Sequence, residues 1–192
     1  MGFFRKSAPG EPLAVTMAAV KLGDRFLAVG VRDPALVAIL AVKAGLTGTA
    51  CAVDADETAV ARAAAAIERD GALAEVTCAP WGMWPYDEGS FDVALIRDLL
   101  PTLPPDERMR TLWQVVRVLR PGGRALVIES APRGGFGAML RGWGGSRTVG
   151  GSRTAPTYEG PVKALKEGGF AAVRVLAEVD GTTYVEGIKK AG

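Results

Sequence analysis

The chain has no histidine among its 192 residues. That absence excludes the Ser-His-Asp triad, the Cys-His pair, imidazole general-base chemistry and every metal site that needs imidazole ligands. Cysteine is scarce as well. Cys51 and Cys78 are far apart, neither belongs to a Cys-x-x-Cys unit, and both are expected to be reduced, buried thiols. A strong charge of one sign is also missing: the formal net charge is +2, which argues against nucleic acid as the main partner. Apolar runs stay well short of the roughly 20 residues that a membrane span needs, so no span is expected. The N-terminal MGFFRKSAPGEP is interrupted by Pro9 and Pro12 before it can read as an export signal, and Lys6 breaks the myristoylation pattern. A cytoplasmic protein is the expectation.

What is present is an alternation of short apolar runs with longer helical stretches, the pattern of parallel βαβ units. A helix is predicted from Pro12 to Leu22, then a strand from Arg25 to Gly30. Asp33-Pro34 opens a second helix that runs through Lys43, because Asp caps well and Pro is tolerated at the first helical position. Strands follow at Thr49 to Asp54, Ala74 to Cys78 and Phe91 to Ile96, with an Ala-rich helix from Glu57 to Arg69 after the first of them. The segment PTLPPDERMRTLWQVVRVLR supplies a further helix, which Pro121-Gly122-Gly123 stops before a strand RALVIE. Residues 131–157 are rich in Gly and Arg, repeat GGSRT twice, and read as a loop or lid. After a helix from Tyr158 to Lys166, FAAVRVLAEV and TTYVEGIKK are predicted to form a hairpin around Asp180-Gly181.

Four stretches together resemble the class I S-adenosylmethionine-dependent methyltransferases, the small bacterial single-domain type. They are LGDRFLAVG, ACAVDADETAVARA, WPYDEGSFDVALI and VLRPGGRALVIE, in order and at family spacing from Leu22 to Glu129. The resemblance implies an α/β fold: a Rossmann-like, doubly wound, mostly parallel seven-stranded sheet with an antiparallel C-terminal strand and helices on both faces. It implies one domain over residues 1–192, with 1–22 as an N-terminal helical segment. The ligand would then sit outside the carboxyl ends of the strands, beside the first and fourth.

The same resemblance implies the site. The family's glycine loop survives here only at Gly30; Val31 and Arg32 follow, Pro34 stands at another glycine position, and Ala28 replaces the usual acid. Asp33 is placed to cap the next helix, which would partly neutralise its positive end. Arg32 can offset that by pairing with the cofactor's methionine carboxylate, or it can pair with Asp33 or reach solvent. Asp54, followed by Ala55, matches the acid whose carboxylate accepts from both ribose hydroxyls. Asp56 or Thr58 suits the helix-cap role better. Pro80 stands where the family has an acid that reads adenine, and Trp81 can cover the adenine face. Trp84 reads as core. Phe91 and Asp92 are expected to fix the loop and strand.

Arg97, Asp98 and Leu99 fall where the family lines its reaction pocket, with Arg97 assigned to the cofactor. Methyl transfer from a sulfonium relaxes a positive charge, so alignment and desolvation can drive it without histidine. If the acceptor is a hydroxyl or an amine, Asp98 is the first candidate to take its proton, with Tyr158 and Glu129 behind it. No metal is expected. Arg133, Arg141, Arg147 and Arg153, with no acid between Glu129 and Glu159, suggest a small acceptor that is anionic or aromatic. The altered loop leaves an alternative open: a degenerate domain of the same fold that has lost cofactor affinity and acts as a binding or assembly module. A nicotinamide enzyme is weaker, because Gly-x-Gly-x-x-Gly is absent.

Overall fold

A computed structural model describes residues 12–131 and 158–191. Strands β1 (Arg25–Val29), β2 (Thr49–Asp54), β3 (Glu75–Cys78), β4 (Phe91–Arg97), β5 (Leu119–Ser130), β6 (Ala171–Val179) and β7 (Thr182–Ile188) form one sheet. Their order is β3-β2-β1-β4-β5-β7-β6, and β7 runs antiparallel to both of its neighbours. The expected doubly wound, mostly parallel sheet is therefore what the chain builds. Helices α1 (Leu13–Ala18), α2 (Pro34–Ala44) and α3 (Glu57–Arg69) contribute to one core layer; α4 (Pro105–Val118) and α5 (Pro161–Glu167) contribute to the other.

The central strands carry apolar residues on both faces because both faces are covered. Phe26 and Ala28 point into the layer with Leu36 and Leu40, whereas Leu27 and Val29 point into the layer with Leu112 and Leu165. The order of strands reverses direction between β1 and β4, so α2 and α4 leave on opposite sides and a crevice opens above that junction.

Three local expectations are corrected. The first helix ends at Ala18, four residues early, because Ala19 adopts φ 43° and its N–H turns back to Val15 O. The fifth strand begins at Leu119 instead of Arg124: Leu119 pairs with Phe91, residues 120–123 bulge out, and pairing resumes at Arg124 opposite Val93. Gly123 permits the bulge, since a Cβ there would lie 2.8 Å from Arg120 O. Cys78 is exposed, not buried, because it closes the edge strand β3; Cys51, on β2, is buried, and burial pushes its thiol up to about 11. The hairpin turn at Asp180 (φ 49°) and Gly181 (φ 72°) forms as expected.

At the end of the sheet away from the crevice, Asp92 accepts from Arg25 N–H and pairs with Arg25 and Arg120, tying β1, β4 and the β5 bulge together. A second charged group locks the antiparallel strand. Glu186 on β7 is 5% exposed and pairs with Arg124 on β5 and Arg174 on β6, each at 2.8 Å. Arg124 also donates to Met17 O and Ala18 O, the open carbonyls at the end of α1. The segments 1–11 and 132–157, which hold the rest of the N-terminal segment and most of the predicted lid with its four arginines, lie outside the described residues.

Candidate functional site

The crevice is a cavity of about 740 Å³, within the size range of small-molecule and cofactor sites. Its walls come from the β1–α2 turn, the end of β2, the first turns of α3, the β3–β4 loop and the 3-10 turn Leu100–Thr102. Of the residues assigned from sequence, Val31, Arg32, Asp54, Ala55 and Trp81 line it.

Asp54 is the buried polar group of the cavity, at 8% exposure. Its Oδ2 accepts from Val31 N–H and its Oδ1 from Asp56 N–H, both at 3.0 Å. The first bond bridges the ends of β1 and β2, the second closes the turn into α3, and together they fix the carboxylate's orientation. A carboxylate has about four acceptor positions, so about two are left for a ligand. Asp56, not Asp54, caps α3, accepting from Thr58 and Ala59 N–H.

Gly30 ends β1 with φ 81°, a conformation that favours glycine, and a Cβ there would meet Leu99 Cδ2 at 3.2 Å. Leu99 is itself part of the cavity wall. Gly30 thus lets the β1 and β4 ends approach behind the cavity instead of lining it.

Asp33 caps α2 through Leu36 N–H at 3.1 Å, and its other oxygen takes Arg97 Nη1 at 2.8 Å. Arg97, which was assigned to the cofactor, is therefore outside the cavity lining and engaged by Asp33 and, at 3.7 Å, by Asp98. Arg32 pairs with neither Asp33 nor solvent alone. Its Nη2 donates to Thr102 Oγ1 at 3.1 Å, and Thr102 Oγ1 donates to Leu99 O, so the guanidinium spans two walls of the cavity.

The β3–β4 loop carries Trp81 into the cavity, while Pro80 lies outside the lining and Trp84 is buried as core, as expected. The loop is held from α4. Arg117 donates to Tyr86 O and Trp84 O, and Gln114 Nε2 donates to Gly82 O. Tyr86 stacks edge-on against Phe91 at 5.2 Å. Sequence reasoning missed these two holders, and it missed Ala59, Arg62, Ala63, Thr102 and Leu103 in the lining. A signal existed for the α3 residues: 59, 62 and 63 share the i, i+3, i+4 face that follows Asp54. Nothing local marks Thr102 or Leu103, whose position depends on the 3-10 turn.

Asp98, assigned as the proton acceptor, sits beyond β4 at φ 49°. Its Oδ1 accepts Ser130 N–H at 2.6 Å and its Oδ2 lies 3.3 Å from Ser130 Oγ. It is outside the cavity lining. Level with it across the β4–β5 ladder is Glu129, whose Oε1 accepts from the Tyr158 hydroxyl. Among the described residues, no cluster of His, Cys, Asp and Glu could hold a metal ion, and no helix is long and apolar enough to cross a membrane.

The fold is common among solved structures. A SAM-dependent methyltransferase from Aquifex aeolicus superposes with a TM-score of 0.71 at 19% identity, covering 92% of this chain and 88% of its own. A SAM-dependent methyltransferase from Methanosarcina mazei gives 0.63 at 18%, covering 95% and 99%. The [4+2]-cyclase SpnF gives 0.67 at 19%, covering 94% and 79%, so the fold by itself does not fix the reaction. Among curated proteins none matches the chain. The family model described as a methyltransferase domain matches residues 27–123. The chain belongs to that methyltransferase family, in agreement with the class I resemblance of its sequence.

Proposed function

We propose that this protein transfers the methyl group of S-adenosylmethionine to a small-molecule acceptor, as a single cytoplasmic domain. The observation that carries the reading is Asp54: a buried carboxylate, oriented by two backbone N–H groups, with free lone pairs turned into a cavity of cofactor size. Such a group fits a vicinal diol, which offers two donors at close spacing, and does not fit a phosphate, which would repel it.

S-adenosylmethionine, when bound, supplies a methyl carbon activated by the positive charge on its sulfur. The chain's residues bind and orient. Asp54 holds the ribose hydroxyls. Trp81 offers an indole face to adenine, in place of the hydrogen bond that Pro80 cannot make. Arg32 is the cation of the β1–α2 turn available to the methionine carboxylate, since the α2 N-terminus is already filled by Asp33, Arg97 is engaged by its own carboxylates, and Arg62, the other arginine of the lining, donates to Thr58 O on its own helix. Reaching that carboxylate requires Arg32 to share or leave Thr102. Leu99 and Leu103 keep that part of the wall apolar, which limits water around the sulfonium.

The module reading draws on one observation: Asp33 neutralises the helix end that elsewhere receives a ligand carboxylate. Calorimetric titration separates the two. Binding of S-adenosylhomocysteine and S-adenosylmethionine with 1:1 stoichiometry is expected of the enzyme. No heat and no thermal stabilisation with either ligand rejects it in favour of the module. A response to NAD(P) alone would point to redox chemistry.

A further inference from the structure

Beyond the cofactor cavity, the carboxyl ends of β4 and β5 gather four chemically active side chains. Register sets Asp98 beside Glu129, because Arg97 pairs with Ile128 and the next residues of both strands share one level. Neighbouring strands are about 4.8 Å apart, and Leu99, one residue beyond Asp98, is cavity wall. On the other side, Tyr158 donates its hydroxyl to Glu129, and the Arg108 guanidinium lies 4.5 Å from the centre of the Tyr158 ring. Arg108 in turn donates to Leu100 O and Leu103 O, both at 2.9 Å, so the group is fastened to the same turn that walls the cavity.

The two carboxylates are not equivalent. Asp98 is committed: one oxygen takes the Ser130 N–H, and the other faces Ser130 Oγ and Arg97 Nε, so the side chain links the ends of β4 and β5. Among the described residues, Glu129 accepts from one donor, the Tyr158 hydroxyl, and that bond falls on Oε1.

We propose that Glu129, positioned by Tyr158, takes the proton from the methyl acceptor in place of Asp98, and that the acceptor is a hydroxyl or an amine. This rests on the methyl-transfer reading above. In the step, the acceptor oxygen or nitrogen forms a bond to the methyl carbon. The carbon–sulfur bond breaks and its electron pair stays on sulfur, which becomes neutral. The acceptor's proton goes to the Glu129 carboxylate and is later released to water.

The electrostatics agree with the geometry. Burial raises the Glu129 carboxyl most, the Asp98 charge raises it further, and the Tyr158 hydrogen bond and Arg108 charge only partly oppose them. A carboxylate above its usual range is a stronger base than a surface one. The charged and titratable groups facing it are Asp98 from β4, Arg108 from α4 and Tyr158 ahead of α5; its neighbour across β7 is the uncharged Thr183.

The test uses the full chain with radiolabelled S-adenosylmethionine and phenol, catechol and benzylamine as acceptor probes. Alongside it, carbon-13 NMR follows the Glu129 carboxyl, assigned by its loss in Glu129→Gln. Label is expected to reach a hydroxyl or amine probe, with a rate that rises with pH through the titration point measured by NMR. Glu129→Gln should keep S-adenosylhomocysteine affinity within about twofold and lose about 100-fold in transfer, the scale of general-base catalysis. Tyr158→Phe removes a bond that stabilises the ionised form, so both the NMR titration and the rate limb should move to higher pH together. Transfer by Glu129→Gln within about threefold of wild type overturns the proposal, as does a rate limb that ignores the carboxyl titration. So does failure of every probe in a protein that binds S-adenosylhomocysteine. If wild type binds neither cofactor form, the methyl-transfer reading fails first, and the titration alone reveals it.

Discussion

Replacing Arg124 with Met tests how the antiparallel strand is held. Arg124 is 20% exposed and faces a Glu186 carboxylate that is 6% exposed; Met fills similar volume but leaves that carboxylate with Arg174, which is 69% exposed. Removing one partner of a buried pair costs about 3–5 kcal/mol, and the surviving Arg174 pair puts Arg124→Met at the lower end, about 3 kcal/mol. At roughly 2–4 °C per kcal/mol for a chain of this size, Tm should fall by about 6–12 °C. Arg174→Met removes the exposed partner and should cost under about 1 kcal/mol. The pH dependence has a definite sign. Burial pushes the Glu186 carboxyl up, but the two guanidiniums outweigh it and hold it below the usual carboxylate range. Its contribution is therefore complete above the unfolded value of about 4.3 and is lost as pH falls through the lower folded value. Urea unfolding of wild type and both variants at pH 7 and in the acid range measures this, with the gap between wild type and Arg124→Met shrinking on acidification. Equal losses for the two arginine variants, or a gap independent of pH, would refute the reasoning.

Asp54→Ala should weaken S-adenosylhomocysteine by about 10²–10⁴-fold, the value of two hydrogen bonds to a charged acceptor at about 1.5–3 kcal/mol each, read by calorimetry. Gly30→Ala forces an alanine into φ 81° and against Leu99, so thermal unfolding should show a loss of about 1–2 kcal/mol, and cofactor affinity should fall with the displaced wall. Arg117→Ala frees the Trp84 and Tyr86 carbonyls. A loss of about 2 kcal/mol, or about 4–8 °C in Tm, is expected, with tryptophan emission shifted by solvent reaching Trp81.

Much of the sheet was legible because each central strand is a short apolar run bounded by its own turn signal, as with RFLAVG before Asp33-Pro34 and the Asp180-Gly181 hairpin. Boundaries failed where tertiary contacts overrule local signals. Pro121-Gly122-Gly123 reads as a stop, yet the β4 ladder carries the strand past it on either side of a bulge. Ala19 gives no sequence hint of its left-handed turn. In the site, the place of Asp54 in the lining was legible because the stretch ACAVDADETAVARA resembles the family's second strand and ends that strand on an acid. Arg97 was not, since its direction is set by Asp33, 64 residues earlier, and that ion pair turns it away from the cavity lining. Sequence put Asp98 ahead of Glu129, because nothing local shows that Asp98 already holds the Ser130 N–H while Glu129 is met by the Tyr158 hydroxyl.

The most direct measurement is a crystal structure of the protein grown with S-adenosylhomocysteine. Both ribose hydroxyl oxygens are expected within hydrogen-bond distance of the Asp54 carboxylate, with the Trp81 indole against adenine and the Arg32 guanidinium at the methionine carboxylate. An occupied ligand whose ribose lies away from Asp54, or crystals in which saturating ligand leaves the cavity to water, would contradict the account.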